Sequence, residues 1–343
     1  MTRLACLLTI LAGLCFPPPS NADQISVLTH NSFNVPKELV ADFEKRTGHT
    51  LEFVAGGDGL SIISQSVLNQ NRPRYDLVYG LDNSFLGRVL NRFDLFEPTR
   101  PRGAENLRPE LILDPQGRLW PVDFGDVTFN CDLKYLRENN LPVPRNLREL
   151  TDPVWKDRVV VSNPQTSSPG MAFLLLTVAV FGDDGFLDYW KALAANGLMI
   201  APSWESAYYD HFSATGGARP VVLSYATSPA AEMIYSSVKP ETPGTAALLD
   251  KGQALRQVEF VGLLKNAPHR EAALAALDWF LSPEFQREVP MSMFVYPTRR
   301  DVALPEIFER FAPPAVEPVV MDTNQVNEKA DLWLRRWREA MGQ

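Results

Sequence analysis

Cysteine is nearly absent from this chain of 343 residues: Cys6, Cys15 and Cys131 are the three it has. The first two fall in an N-terminal segment built like an export signal. Cys131 alone is left for the folded protein, so no internal disulfide is expected and apolar burial must carry the fold. The length suffices for one large or two mid-sized domains. Histidine is also scarce: His30, His49, His211 and His269 are scattered and give no ligand-spaced pair, so no zinc site is expected. There is no G-x-S-x-G elbow, no H-E-x-x-H pair and no Walker-type loop, which removes the commonest hydrolase and nucleotide-binding readings. Positive charge is in deficit, with 33 Lys and Arg against 41 Asp and Glu. No basic run interrupts that balance, so nucleic acid is a poor partner. Internal repeats and low-complexity tracts are missing too.

What is present begins with the signal. Met1-Thr2-Arg3 gives a positive start, Leu4–Phe16 is an almost unbroken apolar run, and Ser20-Asn21-Ala22 sets small residues where a signal peptidase cuts. Residues 1–22 are therefore expected to be removed before Asp23, leaving an exported mature protein. A membrane-spanning helix needs roughly 20 apolar residues, and Pro17-Pro18-Pro19 ends this run well short of that. Leu14 stands where a lipoprotein signal needs Gly, Ala or Ser before Cys15, so no lipid anchor is expected.

Beyond the signal, strand and helix alternate. Ile25–Thr29, Leu51–Ala55 and Tyr75–Tyr79 have strand character, with helices predicted over Pro36–Arg46, Leu60–Asn69 and Asn83–Leu90. Trp120–Cys131 is an extended segment able to cross between domains. Strands follow at Arg158–Val161, Val221–Ser224 and Gln257–Lys265, and helices at Pro169–Phe181, Asp183–Asn196 and Pro268–Leu281. The last helix, Asn324–Met341, sets Trp333, Leu334 and Trp337 three to four apart as a packing stripe. Such alternation predicts an α/β fold with mostly parallel sheets, in which ligands sit beyond the carboxyl ends of strands. The loops at His30-Asn31-Ser32, Gly56-Gly57-Asp58-Gly59 and Gly80-Leu81-Asp82-Asn83 occupy those positions.

Five motifs occur in order: Leu81-Asp82-Asn83, Pro121-Val122-Asp123-Phe124-Gly125, Thr166-Ser167-Ser168-Pro169-Gly170, Ser203-Trp204-Glu205-Ser206-Ala207-Tyr208, and Leu223 to Ala230. Together with Ser282-Pro283-Glu284-Phe285-Gln286 and Tyr296-Pro297, they resemble the periplasmic thiamine-binding proteins of ABC importers. That family lies within the type II periplasmic binding protein class, which also holds ferric-iron binders. The resemblance implies a two-lobed α/β fold, each lobe a mostly parallel sheet flanked by helices and joined to the other by crossing strands. Lobe 1 would comprise 23–125 with 261–300, and lobe 2 would comprise 126–260 with 301–343. It further implies a monomeric binding protein without catalytic activity or cofactor. Such a protein encloses thiamine, its monophosphate or its diphosphate and delivers it to a membrane permease with an ATPase partner.

Thiamine combines a cationic thiazolium, a flat aminopyrimidine and an alcohol that can carry phosphate. Flat rings and delocalised positive charge favour aromatic faces, and the resemblance assigns Trp204 and Tyr225 to that role, with Tyr208 one turn beyond Trp204. Asp58 is suited both to capping the next helix and to touching a ligand, and the resemblance places it beside the ligand. Gly59 can offer its backbone N–H. Ser167, ahead of Pro169 at a helix start, is the first candidate for binding a phosphate. His30, Asp82 and Phe294 complete the expected ligand-binding set. Three positions depart from the family: His30 stands where Tyr is common, Ala231 where a second aromatic can stand, and Phe294 in place of Trp. Tyr209 or Tyr235 could compensate. Two rival readings remain: ferric iron held by Tyr208 and Tyr209, and a secreted hydrolase using Asp58, Asp82 or Asp123.

Overall fold

The computed structural model describes residues 22–238 and 240–343, so the expected signal at 1–22 lies, but for Ala22, outside the described residues. Ten strands form one continuous sheet: β1 (Gln24–Thr29), β2 (Thr50–Ala55), β3 (Leu77–Asp82), β4 (Trp120–Asp132), β5 (Val159–Ser162), β6 (Met199–Ala201), β7 (Val221–Tyr225), β8 (Thr245–Ala247), β9 (Leu255–Leu263) and β10 (Tyr296–Pro297). The order along the sheet is β2-β1-β3-β9-β4-β7-β5-β6, with β8 and β10 both paired to β4. Parallel triplets β2-β1-β3 and β7-β5-β6 flank a central antiparallel pair. That pair is the long β4 against β9, and β4 passes from one triplet to the other. β3 and β4 are buried along their whole length, as strands covered on both faces must be.

Helices α1 (Lys37–Thr47), α2 (Gly59–Leu68), α3 (Leu133–Glu138), α4 (Ser168–Ala195), α5 (Ser228–Tyr235), α6 (Arg270–Phe280), α7 (Pro283–Met293), α8 (Glu306–Phe311) and α9 (Thr323–Met341) cover the faces. Phe43, Trp279, Phe280 and Phe285 form one core with β1 and β3, while Phe173, Trp190, Trp333 and Trp337 belong to the larger core around α4. α4 is long and apolar enough to span a membrane, yet it is mostly buried. Its backbone breaks at Gly182, with φ 78°, where two helices were expected. The Asp183 carboxylate beside that break accepts a bond from the Trp333 indole at 3.0 Å and pairs with Lys329 and Arg336. Asp331, on another side of α9, pairs with Arg88 and Arg92. The last helix is thus tied both to α4 and to the segment at Arg88–Arg92, and its tryptophan stripe is core.

One predicted helix is much reduced. The Asn83 side chain donates to the Arg256 carbonyl at 3.1 Å and accepts from the Val258 N–H at 3.0 Å. It stitches the chain to β9, which delays helical structure to a short turn ending at Arg88–Arg92. The strand expected at Tyr75–Tyr79 is shifted and runs from Leu77 to Asp82.

Candidate functional site

A cleft of about 560 Å³ opens where the loops after β1 and β2, with Gly80 of β3, face α4, α5 and β7. One wall is aromatic. Trp204 and Tyr208 stack with centroids 5.4 Å apart and planes 26° from parallel, and Tyr225 stands edge-on to Trp204 at 6.4 Å. Polar tips hold these rings in place: the Trp204 indole N–H donates to Ser224 Oγ at 3.0 Å, and the Tyr225 hydroxyl donates to Gln257 Oε1 at 3.1 Å. Gly125 is required behind Tyr225, because a Cβ there would come within 2.7 Å of the ring. The Pro121-Val122-Asp123-Phe124-Gly125 motif is therefore part of this wall's scaffold. Toward the mouth, Tyr235 packs on Phe294 at 5.2 Å, and Tyr209 stands edge-on to Trp204 at 5.7 Å. The sequence named both tyrosines as compensating aromatics.

The opposite wall is acidic. Asp58 occupies the N-cap position of α2, but its side chain makes no capping bond and faces the cleft instead. Burial, with the Glu205 carboxylate adding to it and His30 opposing, pushes the Asp58 acid up to about 6. Gly59, the next residue, also lines the cleft, where a Cβ would meet Phe85 and Ser168 at 3.1 Å. His30 sits beneath Gly80, whose φ of 90° and missing Cβ leave room for the imidazole. The His30 Nε2 lies 3.3 Å from Glu259 Oε2. Burial alone would lower the His30 pKa, but Glu259, Asp58 and Glu205 together raise it.

Below His30, β4 and β9 bring Asp123 directly opposite Glu259. The Tyr79 hydroxyl donates to Asp123 and lies 3.3 Å from Glu259. Two buried carboxyls this close do not both ionise. Burial and Glu259 hold Asp123 well above the carboxylate range, while His30 and the surrounding bonds outweigh burial to keep Glu259 ionised. A cleft-facing carboxylate thus rests on a buried neutral acid.

Two expected residues stand apart from the cleft lining. Ser167 is the N-cap of α4, but it is buried and its hydroxyl donates to Ser162 Oγ at 3.0 Å, so Ser168 is the serine that faces the cleft. Asp82 is fully buried, with one oxygen accepting from the Ser84 N–H at 2.7 Å. Burial pushes its acid up to about 6, and the nearby Ser168 hydroxyl moderates the rise. His30, Asp58, Gly59, Trp204, Tyr208, Tyr225 and Phe294 all line the cleft, with Ala231 beside them. Sequence reasoning overlooked Glu205, Glu232 and Glu259 as lining groups. A signal for Glu259 existed, since it is the single charge in the apolar run from Val258 to Leu264.

Two cross-cleft contacts are present. Ser32 Oγ donates to Glu205 Oε1 at 3.2 Å, and the Thr227 hydroxyl donates to the Phe294 carbonyl. The rival readings find little support in this geometry. Among the described residues no cluster of three or more His, Cys, Asp or Glu could hold a metal ion. The Tyr208 and Tyr209 rings stand 78° apart, and burial pushes the Tyr208 phenol up to about 12, away from the phenolate that ferric iron prefers.

Comparison with known proteins follows the same direction. Residues 72–326 match the family described as bacterial extracellular solute-binding protein. The thiamine-binding periplasmic protein of Salmonella typhimurium is 31% identical over 338 residues, which is 96% of each chain. A solved structure of a periplasmic thiamin binding protein superposes with a TM-score of 0.81 at 26% identity, covering 93% of this chain and 96% of the other. Iron uptake protein A2 of Synechocystis is similar over a shorter span, 26% identical across 62% of this chain and 61% of the relative.

Proposed function

Since the chain belongs to the bacterial extracellular solute-binding protein family, we propose that it is a binding protein without catalytic activity and that its cargo is thiamine, enclosed between two lobes in the periplasm and passed to an ABC permease with its ATPase. The carrying observation is one cleft that sets the faces of Trp204 and Tyr225 against the carboxylates of Asp58, Glu205 and Glu259. A thiazolium needs both: an aromatic face contributes about 0.5–2 kcal/mol per good cation–π contact, and an ionised carboxylate in a partly desolvated cleft adds attraction. The relatives named for thiamine support the same cargo.

In this reading the lobes are 23–125 with 261–300 and 126–260 with 301–343, meeting at the β4–β9 pair. Hinge closure brings Ser32 to Glu205, and the mature monomer begins at Asp23. Trp204 and Tyr225 sandwich or flank the rings, Asp58 and Glu259 face the positive charge, and Tyr208, Gly59 and Phe294 complete the enclosure. Thiamine titrated into the protein should change its intrinsic fluorescence saturably. Of the seven tryptophans, Trp204 is the one that lines the cleft, while the other six are at most 9% exposed. Absence of binding at millimolar thiamine would remove this cargo. Mass spectrometry of ligand released from freshly purified protein provides an independent check.

A further inference from the structure

We propose that the cleft selects the free alcohol of its planar cationic ligand and discriminates against the phosphate esters; this rests on the thiamine reading above and specifies its ligand class. Among the described residues, the ionisable groups lining the cleft besides its tyrosines are four carboxyls, Asp58, Glu205, Glu232 and Glu259, and one histidine. Among the described residues no Lys or Arg lines it, and the one candidate cation, His30, is already matched by Glu259 at 3.3 Å.

The place where the sequence suggested a phosphate could rest is also compromised. At the start of α4, the free N–H groups and helix dipole favour an anion. The chain puts its own carboxyl there: Asp82 is fully buried near Ser168, and its Oδ2 has no hydrogen-bond partner among the described residues. A phosphoryl group approaching Ser168 would lie in the field of that buried acid, while the cleft-facing carboxylates of Asp58, Glu205 and Glu259 suit a hydroxyl donor. A ligand alcohol can give a hydrogen bond, whereas a phosphate dianion offers acceptors alone.

A monophosphate adds about 1.5–2 negative charges at pH 7. Set among several carboxylates in a partly desolvated cleft, that repulsion should weaken binding at least about tenfold relative to thiamine at low salt, with a larger loss for the diphosphate.

Isothermal titration of the mature protein with thiamine, thiamine monophosphate and thiamine diphosphate, at low salt and at about 0.5 M NaCl, tests this because salt screens the repulsion. The expected order is thiamine tightest. The gap should narrow at high salt and in each of the variants Glu205→Gln and Asp58→Asn, which remove charge from opposite sides of the cleft. Equal or tighter binding of either ester by protein that binds thiamine would overturn the selection while leaving the cargo intact. A gap that ignores both salt and the two variants would also overturn it. Binding of none of the three compounds would sink the cargo assignment itself, and the selection with it.

Discussion

Replacing Trp204 with alanine is the most direct perturbation of the binding wall. The side chain is half-buried, stacked on Tyr208, edge-on to Tyr225 and anchored through its indole N–H to Ser224 Oγ. Truncation removes one cation–π contact of about 0.5–2 kcal/mol and ring–ring packing of about 0.5–1.5 kcal/mol. The combined loss of about 1–3.5 kcal/mol corresponds to weakening of roughly 5- to 400-fold. Trp204→Phe retains a face but loses the bond to Ser224, about 1 kcal/mol, so roughly fivefold weakening is expected. Calorimetry is the suitable assay for both variants, since each removes the reporting fluorophore, and circular dichroism would confirm that they fold. The fluorescence response to thiamine should vanish in Trp204→Phe even while calorimetry still detects binding. Trp204→Ala binding within twofold of the parent would refute the assignment of this wall.

Three further outcomes follow from the same geometry. Asp58 and Asp82 are both pushed up to about 6 and His30 is raised, so all three bind protons more readily in the fold than in the unfolded chain. Ligand-free stability should therefore rise as pH falls toward about 6.5 through His30, and further from about 6.5 toward 4.5 through Asp58 and Asp82. Thiamine affinity should fall from about pH 6.5 toward 4.5 as Asp58 loses its charge, and calorimetry from pH 7.5 to 5 that found constant affinity would count against Asp58. Gly80→Ala forces a Cβ into a φ of 90° and to within 2.4 Å of the His30 ring. A loss of about 1–3 kcal/mol in denaturant unfolding, together with a shifted His30 NMR resonance, is expected; an unmoved resonance would contradict the packing. Trp337, fully buried and edge-on to Trp190 at 5.4 Å, should cost about 3–5 kcal/mol on truncation to alanine. A loss below about 1 kcal/mol would show that the stripe is not core.

The fold was largely legible because its strands are short apolar runs and its helices carry clean apolar faces, both local signals. Legibility failed where distant residues decide. Asn83 has the composition of a helix start, yet its amide is committed to β9, 173 residues away. Ser167 and Ser168 differ by one position at the entry to α4, and that single step decides between Ser162 and the cleft. Trp204 and Tyr225 could be singled out by chemistry and resemblance. The full set of acidic groups could not, since Glu205, Glu232 and Glu259 reach one cleft from three separate elements. Asp58 shows the intermediate case: its cap position was local and readable, but the absence of a capping bond became visible once the loops were assembled.

Cys131 lies fully buried in β4, and burial beside Asp132 pushes its thiol up to about 12. At neutral pH such a sulfur is protonated and screened from reagents. A sample produced from Asp23 onward therefore offers a thiol-silent background. Paired cysteines placed on either rim of the cleft can be labelled with spin or fluorescent probes without first deleting the native one, so the proposed closure of the lobes becomes testable as a measured distance.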